Sequence, residues 1–454
     1  MASTTATTDN RARARHSVRH FLASFTELEA RYPGRYPRMI VRGEGAFVWD
    51  DEGRRLLDAG GHLGATQIGH GRRELGERMA RQTEQLEFIA LDSGLSHPKA
   101  LELAETLAAM LPLDDPVLSF TLSGSESNEL AFKIARAYHS RRGEESRVTV
   151  LSRDGSYHGS TYGGMAATGA PAFRSGFGPS LPGFAQIAQP SPGRCGFCTP
   201  DEGCTLRCAD ALERSIDELG RENVAAVIAE PVAILGAVKV PHPDYWARVQ
   251  EIRDRTGILL IVDEIVTGFG RTGRMFGSEH WGIRPDVMTI AKGLTSGYAP
   301  LGATVVSRKV EEAFIDAPLL HLNTYAGHPV ACEAALANIE ILTSEHLPER
   351  AAALEPALRS ALEALRADVP RLSRVSAIGL LSSVEVDIAD VADPDGLLLG
   401  VRHAMYEHGL LARAAAGGGI LTVVFYPTLV VEERDMRAGV EALRRALVEV
   451  LPGG

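Results

Sequence analysis

Short apolar runs alternate with longer stretches of helical periodicity from about residue 117 onward. The runs cover residues 117–122, 148–151, 224–229, 258–262, 287–291 and 303–306. Continuous apolar strands between helices are typical of a parallel or mostly parallel sheet covered on both faces, so the pattern predicts an α/β fold. Ligands of such sheets bind beyond the carboxyl ends of the strands, which makes the residues after each run informative.

The pattern predicts smaller elements upstream. Residues 39–60 are expected to form a β-hairpin element, because apolar residues flank a turn at 50–53. Amphipathic helices are predicted over 72–87 and 98–111. The stretch 60–67 is too rich in glycine for a regular element, and such backbone often approaches a ligand closely.

A helix that opens with Ser123-Gly124-Ser125 follows the first apolar run and is predicted to continue to about Tyr138. Ser123 and Glu126 have the spacing of a capping box. Free backbone N–H groups, hydroxyls and the positive end of the helix dipole make this start suitable for a phosphate. An ordinary capped helix would explain the same residues, so this motif alone leaves both interpretations open.

Three charged residues each follow an apolar run: Glu230, Asp263 and Lys292. A lysine at the end of a buried strand is costly to desolvate unless it is paired or covalently modified. Burial lowers the pKa of such a lysine, and the neutral amine is the form that makes an imine. A single charge at a strand end is ordinarily solvated, but three at one sheet edge beside a phosphate cradle predict a functional site.

These parts suit pyridoxal phosphate (PLP). Lys292 would form the imine with the cofactor aldehyde, and Asp263 would keep the pyridine nitrogen protonated. Ile265, two residues beyond Asp263, would support one face of the ring, and Tyr157 would stack on the other. Once released by a substrate amine, Lys292 would act as the base that moves the substrate proton.

The segments SGSESNELAFKIAR, YHGST, AEPV, VDEIVTGFGRTG, AKGLTSGYAPLGA and NTYAGHP occur in the order of a known family. With them the chain resembles a class III (subgroup II) PLP-dependent aminotransferase of fold type I, from about residue 40 onward. The resemblance implies a mostly parallel seven-stranded sheet in a large domain and a smaller α+β C-terminal domain. The corresponding division is an N-terminal arm and small-domain hairpin at 1–70, a PLP-binding domain at 71–320 and a small domain at 321–454.

The resemblance also implies roles for single residues, with Lys292 as the Schiff-base lysine and Asp263 as the partner of the pyridinium. The predicted cofactor-binding set is Gly124, Ser125, Tyr157, Glu230, Asp263, Ile265, Lys292 and Thr324. Gly124 and Ser125 are expected at the phosphate, and Thr324 would reach the phosphate of the neighbouring subunit. An obligate homodimer with shared active sites is therefore implied.

Departures from ornithine- and γ-aminobutyrate-type members bear on the substrate. Val266 replaces a glutamine, Leu235 replaces the glutamate that masks a carboxylate-binding arginine, and Val424 stands in place of that arginine. A buried carboxylate needs a charged partner, so these changes argue against dual specificity for glutamate and ω-amino acids.

The chain is more similar to the amine:pyruvate (ω-) transaminases, which also have an aliphatic residue at the position of Val266. Their mobile arginine lies in a segment similar to 409–413, which makes Arg413 a candidate for holding a substrate carboxylate. An exposed arginine at a strand end is the ordinary alternative. Gly64 stands where those enzymes often have a pocket tryptophan, which predicts that bulky amines are accepted.

Transamination from an amine or amino acid to a keto acid such as pyruvate is the predicted reaction, in ping-pong half-reactions. An amino acid racemase or aminomutase on the same fold is the alternative, and a dialkylglycine-type decarboxylase is less favoured. A nicotinamide oxidoreductase is disfavoured because Gly268-x-Gly270-x-x-Gly273 lies mid-chain and does not open an early βαβ unit. Retention of the lysine, the aspartate and the phosphate-site residues argues against a non-catalytic scaffold.

Four of the five cysteines cluster as Cys195-x2-Cys198-x5-Cys204-x3-Cys208. This spacing could hold a structural zinc, or the thiols could remain reduced in a tight loop. No metal is assigned to the active site. Cys332, in an alanine-rich stretch, is expected to be a buried packing thiol.

Composition narrows the location and the partners. The net charge of −11 argues against non-specific nucleic-acid binding, and no apolar run is long enough to span a bilayer. Residues 1–16 lack the apolar core of a secretion signal and are expected to be disordered at their start. A cytoplasmic protein is therefore expected.

Overall fold

The computed structural model describes residues 31–32, 38–191, 195–198 and 203–451. The strands are β1 (Ile40–Glu44), β2 (Phe47–Asp50), β3 (Arg55–Asp58), β4 (Val117–Thr121), β5 (Thr149–Arg153), β6 (Phe184–Ile187), β7 (Val224–Ala229), β8 (Leu259–Asp263), β9 (Val287–Ile290), β10 (Gly302–Val306), β11 (Leu372–Ile378), β12 (Leu381–Asp387), β13 (Leu410–Leu411), β14 (Arg413–Gly417) and β15 (Ile420–Phe425).

The main helices are α1 (Arg73–Gln85), α2 (Pro98–Met110), α3 (Gly124–Arg141), α4 (Tyr162–Ala167), α5 (Arg207–Leu219), α6 (Tyr245–Thr256), α7 (Arg308–Glu311), α8 (Pro329–Ser344), α9 (Leu347–Ala364), α10 (Pro394–Glu407) and α11 (Glu433–Val450). The helices predicted over 72–87 and 98–111 are confirmed as α1 and α2, and each ends one or two residues earlier than predicted.

A seven-stranded sheet lies at the centre of the fold, with strand order β4-β10-β9-β8-β7-β5-β6. Five of its neighbouring strands run parallel to one another, and β10 is antiparallel to both β4 and β9. The prediction of a mostly parallel sheet is confirmed. β6 was missed because Phe184–Ile187 is short and only half-buried, so it has no continuous apolar run.

Helices cover both faces of this sheet, and the alternation of side chains along each strand explains why the central runs are apolar throughout. Along β7, Ala226 and Ile228 pack under α3, whereas Val227 points to the opposite face. That opposite face is covered by α5 and α6, which contribute Ile216 and Trp246. Because successive residues of a strand point to opposite faces, a strand covered on both sides must be apolar at every position.

Two smaller sheets flank the central one. The antiparallel strands β1, β2 and β3 continue into β13, which pairs in parallel with β3, so the predicted N-terminal hairpin element also contains a strand from the C-terminal part of the chain. The second small sheet is antiparallel, in the order β11-β12-β15-β14, and it packs with α9. The domain boundaries at residues 70 and 320 stay predictions.

The predicted disorder at the start of residues 1–16 lies outside the described residues. Within the described ranges, every helix is too short or too polar to cross a bilayer.

Candidate active site

A cavity of about 400 Å³ opens at the carboxyl ends of the central strands, where parallel sheets bind their ligands. Its wall contains almost every residue predicted for the site: Gly124, Ser125, Tyr157, Glu230, Asp263, Ile265, Lys292 and Arg413. These residues come from parts of the chain nearly 300 positions apart and meet because β4, β5, β7, β8 and β9 end at this edge.

Lys292 follows β9 and begins a short 3₁₀ turn with a left-handed φ of 38°. A non-glycine residue adopts this conformation at a cost, and such strain concentrates at functional positions. Burial lowers the pKa of Lys292 to about 8, Asp263 opposes the shift, and the positive charge of Arg413 adds to it. A larger fraction of the amine is therefore neutral near pH 8 than for an ordinary lysine, which makes the amine a better nucleophile.

Asp263 is the last residue of β8 and is buried at the floor of the cavity. Its Oδ2 accepts a hydrogen bond from Asn128 Nδ2 at 2.9 Å and lies 2.8 Å from His158 Nδ1. Its Oδ1 accepts from the backbone N–H of Ile265 at 3.1 Å. Asn128 is itself held by Thr289, whose hydroxyl donates to its Oδ1 at 2.8 Å. A buried carboxylate with these donors is fixed in orientation and stays available to a cationic partner in the cavity.

The start of α3 forms one end of the cavity. Ser123 Oγ accepts from the backbone N–H of Glu126 at 3.3 Å, as the capping box predicts. The reciprocal hydrogen bond of a capping box, from the Ser123 N–H to the Glu126 side chain, is not formed. Glu126 Oε2 accepts from the N–H of Leu122 instead. A Cβ at Gly124 would lie 2.6 Å from Ile265 Cδ1, so a larger residue at this helix start would require Ile265 to move. The exposed N–H groups and the helix dipole are suited to an anion.

Tyr157 and Ile265 both line the cavity and are half-buried, and their positions on opposite faces of the cofactor ring stay a prediction. The Tyr157 hydroxyl is 2.8 Å from Ser160 Oγ, and its ring makes an edge contact with Phe173 at 5.2 Å between centroids. These contacts hold the ring beside the helix start, where a flat ligand could stack on it.

Glu230 lines the cavity, but its carboxylate already has protein partners. Arg153 Nη2 donates to Glu230 Oε2 at 2.9 Å, and the N–H of Tyr157 donates to Oε1 at 3.4 Å. Burial disfavours the charged form of Glu230, yet the charges of His158 and Arg153 outweigh burial and lower its pKa. The geometry therefore suits Glu230 to positioning Tyr157, while a direct contact with a cofactor stays a prediction.

Much of the cavity wall is apolar. Leu235, Val266 and Val424, the three departures noted in the sequence, all line it, together with Leu63. Arg413, at the start of β14, supplies a cation to this wall and lies close enough to Tyr426 to lower the pKa of that phenol, although burial of Tyr426 raises it more. An apolar chamber with one arginine can hold an uncharged group or a carboxylate.

Thr324 is the one predicted site residue that the cavity of this chain does not contain. It is exposed, in a turn beside Asn323, whose side-chain amide donates to Glu126 Oε2 at 3.0 Å. The turn is thus tied to the rim of the helix start but leaves Thr324 outside the cavity wall, as a contact with a second subunit would require.

The comparisons with known proteins agree with this geometry. The family model for aminotransferase class-III matches residues 28–447. The chain belongs to the class-III aminotransferases. A putrescine–pyruvate aminotransferase of Pseudomonas aeruginosa is 36% identical over 435 residues, which cover 94% of each chain.

Two solved structures extend the likeness to the whole class-III aminotransferase fold. A thermostable (S)-enantioselective omega-transaminase from Thermomicrobium roseum has a TM-score of 0.89 and 39% identity over 97% of this chain and 98% of its own. An amine transaminase from an uncultivated Pseudomonas species, solved in a PLP-bound form, has a TM-score of 0.84 and 33% identity over 92% of this chain and 96% of its own. The predicted family, fold and enzyme class are confirmed.

Class-III aminotransferases use PLP, so PLP is the cofactor of this enzyme. The cavity matches the groups of PLP: an anion site at the start of α3 for the phosphate, a fixed carboxylate at Asp263 for the pyridinium, and the Lys292 amine for the aldehyde. Gly124 presents only backbone at the phosphate end, where Ser123 and Ser125 also line the cavity.

The cysteine segment of this aminotransferase lies outside the cavity. A hydrogen bond with the Thr205 backbone lowers the pKa of Cys198, and contacts with Cys195 and Cys204 lower it further. Burial raises the pKa of Cys208 to about 12, and the other three thiols add to this rise. The four thiols are therefore neighbours, and both interpretations of the cluster stay open. Cys332 is fully buried in α8, which confirms its role as a packing thiol.

Asn128 and His158 belong to the motifs SGSESNELAFKIAR and YHGST, but sequence reasoning assigned them no role. Both are buried and contact Asp263, one from α3 and one from the segment after β5. A polar residue on the buried face of α3 was the available signal for Asn128. His158 could have been found because it follows directly on Tyr157 at the same sheet edge.

Proposed function

We propose that this class-III aminotransferase transfers the amino group of a bulky amine that has no carboxylate to a small keto acid such as pyruvate. The observation that carries the proposal is a lysine with a pKa of about 8 beside a buried aspartate, under an apolar chamber that contains one arginine. The apolar wall suits the side groups of an amine, and the arginine suits the carboxylate of the keto acid.

Within this proposal Lys292 would hold the cofactor covalently and, once free, would move the proton from the α-carbon of the donor. Asp263 would keep the pyridine nitrogen of bound PLP protonated, and the chemistry that PLP would supply is an electron sink for the bond that breaks. Gly124 and Ser125 would bind the phosphate, Ile265 and Tyr157 would enclose the ring, and Glu230 would orient Tyr157. The charges of Asp263 and Arg413 act on Lys292 in opposite directions and adjust its proton affinity.

We also propose a homodimer in which Thr324 of the partner subunit completes the phosphate site. The exposed position of Thr324 and its separation from the cavity of its own chain support this assignment. A cytoplasmic location stays part of the proposal.

A donor screen tests the reaction. The PLP-loaded enzyme is mixed with a single amine donor and no acceptor, and conversion of the cofactor to pyridoxamine phosphate is followed by absorbance. Conversion, reversed by pyruvate, is the expected result. A racemase or aminomutase would instead leave the cofactor as the aldehyde while the donor is racemised or rearranged, and that outcome would refute the proposal.

Bulky amines are expected to be good donors, because Gly64 leaves the chamber open next to Val266 and the ring of Tyr426. Gly64 has a φ of +77°, so a side chain there would also strain the backbone, and Ala415 is the better position for narrowing the chamber. We expect Ala415→Phe to lower kcat/KM for a bulky aryl amine by about tenfold or more. The value for a small alkyl amine should change little. Activity of the unaltered enzyme with very small amines only would contradict the prediction.

Arg413→Ala is expected to raise KM for pyruvate and lower kcat/KM by about 10- to 100-fold, the loss for a hydrogen bond to a charged group. The half-reaction with an amine that has no carboxylate should keep its rate, because such a donor has no group for Arg413 to bind. Arg413→Lys retains the charge but not the two-pronged geometry, and should lie between the two. Equal kcat/KM values for pyruvate in all three proteins would make Arg413 an ordinary surface residue.

A further inference from the structure

Three metal-ligating side chains converge just outside the active-site cavity, where β3 ends: Asp58, His62 and His70. His70 Nε2 lies 3.0 Å from Asp58 Oδ2, and His62 Nε2 lies 3.6 Å from the same oxygen. The two nitrogens and the carboxylate oxygen all lie within 4.8 Å of one another. Two imidazoles and a carboxylate are a ligand set that zinc uses in proteins.

Hydrogen bonding explains one of these two distances. The 3.0 Å separation of His70 and Asp58 is an ordinary hydrogen bond, but the 3.6 Å separation of His62 and Asp58 is too long for one. Ligands that share a tetrahedral zinc ion at about 2.0–2.2 Å lie roughly 3.3–3.6 Å apart. The longer distance lies at the top of that range, and the shorter one is within a few tenths of an ångström of it.

The backbone that presents His62 is strained. His62 has φ 42° and ψ 67°, and Leu63 has φ 65° and ψ 28°, so two consecutive non-glycine residues are left-handed. Both neighbours, Gly61 and Gly64, also have positive φ. Left-handed backbone is unfavourable for residues with a Cβ, and its persistence over two such residues points to a function for the turn.

The remaining two ligands are held firmly. Asp58 is 1% exposed, and its backbone N–H donates to the carbonyl of Ala46 at 2.9 Å. The side chain of His70 is 17% exposed, and its backbone exchanges two hydrogen bonds with Gly45, at 2.8 and 3.0 Å. The side chain of His62 is 49% exposed and leaves the site open to solvent on one side. Two fixed ligands and one at the surface give an ion a path of entry and leave a position for water.

We propose that Asp58 Oδ2, His62 Nε2 and His70 Nε2 bind one divalent transition-metal ion of the zinc type, with water as a further ligand. The site uses none of the residues assigned to PLP or to the substrates. Leu63 follows His62 and lines the active-site cavity, so the ion fixes the strained turn that forms part of the cavity wall. The ion therefore links the end of β3, the turn that contains His62 and the segment that contains His70.

Zinc binding to the PLP-loaded enzyme, measured by calorimetry after removal of metals with a chelator, tests the site. Wild type is expected to bind one Zn²⁺ per chain that His62→Ala binds about 100-fold more weakly or not at all, because a direct ligand is lost. His408→Ala, which removes a partly exposed histidine paired with Glu449, is the control and should bind as wild type does. Zinc should also raise the melting temperature of wild type and of the control more than that of His62→Ala.

The four clustered cysteines could add a second zinc equivalent, and Co²⁺ separates the two. Cobalt bound by thiolates gives an intense charge-transfer absorption, whereas a site of two imidazoles and a carboxylate gives only weak bands. A weakly absorbing cobalt site that is lost in both His62→Ala and His70→Ala supports the proposal. Equal zinc affinity and stoichiometry in wild type and both variants, each checked for native circular dichroism, would overturn it, as would cobalt binding seen only through the thiolate absorption.

Discussion

Replacing Lys292 by alanine is expected to abolish transamination and to leave PLP without a covalent link to the protein. The position of Lys292 and its chemistry both support this result. Lys292 follows β9, burial lowers its pKa to about 8, and the nearby charge of Asp263 opposes that shift. Activity should fall to the detection limit, because the same amine forms the link and carries the proton. Borohydride reduction followed by peptide mass spectrometry checks the link.

Lys239 provides a matched control for this experiment. Burial lowers its pKa to about 8 as well, but its Nζ donates to the carbonyl of Leu235 at 2.5 Å, and it does not line the cavity. Lys239→Met should therefore retain the borohydride adduct on Lys292. A reduced adduct on another lysine in Lys292→Ala, together with measurable turnover, would show that the covalent role is assigned to the wrong residue.

The strands that carry the site were predictable because each is covered on both faces. A strand in that position must be apolar throughout, and the runs over 224–229, 258–262 and 287–291 are visible in the sequence for this reason. The charged residue that ends each run is equally visible, since it breaks the pattern where the chain reaches the ligand. The amino-acid pattern alone therefore assigns Glu230, Asp263 and Lys292 to one edge of the sheet.

The edge strand β6 and the residues that reach the site from other elements were harder to predict. β6 packs at the edge of the sheet and is half-buried, so it lacks the apolar run that marks its neighbours. Tyr426 directly follows β15 and lines the active-site cavity. Hydrophobic periodicity does not predict where the C-terminal sheet packs. The candidate metal ligands Asp58, His62 and His70 are separated along the chain, and the turn at His62 has positive φ values that are unusual for residues with a Cβ.

Capping and charge pairing also depended on tertiary neighbours. The spacing of Ser123 and Glu126 predicted a reciprocal box, but Glu126 accepts from Leu122 and Asn323 instead, because the turn that contains Asn323 packs against the helix start. Glu230 likewise pairs with Arg153, which lies on the adjacent strand β5. Local sequence spacing predicts which side chains can act at a helix or strand end, and the packing of distant segments decides which partner they take.

Asp263→Asn is expected to lower kcat by about 100-fold or more while the fold is retained. An amide is isosteric with the carboxylate and can keep the contact with Asn128 by a side-chain flip, but it cannot hold a proton on the pyridine nitrogen by charge. Removal of the α-proton should then become rate-limiting, so deuterium at the α-carbon of the donor should slow the variant more than wild type. The absorption of bound PLP should also change, because its ring nitrogen loses the proton.

Asp286 is the matched control because it is a buried aspartate at the opposite edge of the same sheet, directly before β9. Its Oδ2 accepts from the backbone N–H of Leu260 at 2.9 Å, and Lys309 lies 2.9 Å from its Oδ1. Asp286→Asn should lose stability, because a buried carboxylate loses its charge beside Lys309, and should keep the isotope effect and the PLP absorption of wild type. If the two variants lose kcat equally with unchanged isotope effects, the loss reflects damage to the sheet, and Asp263 has no part in proton transfer.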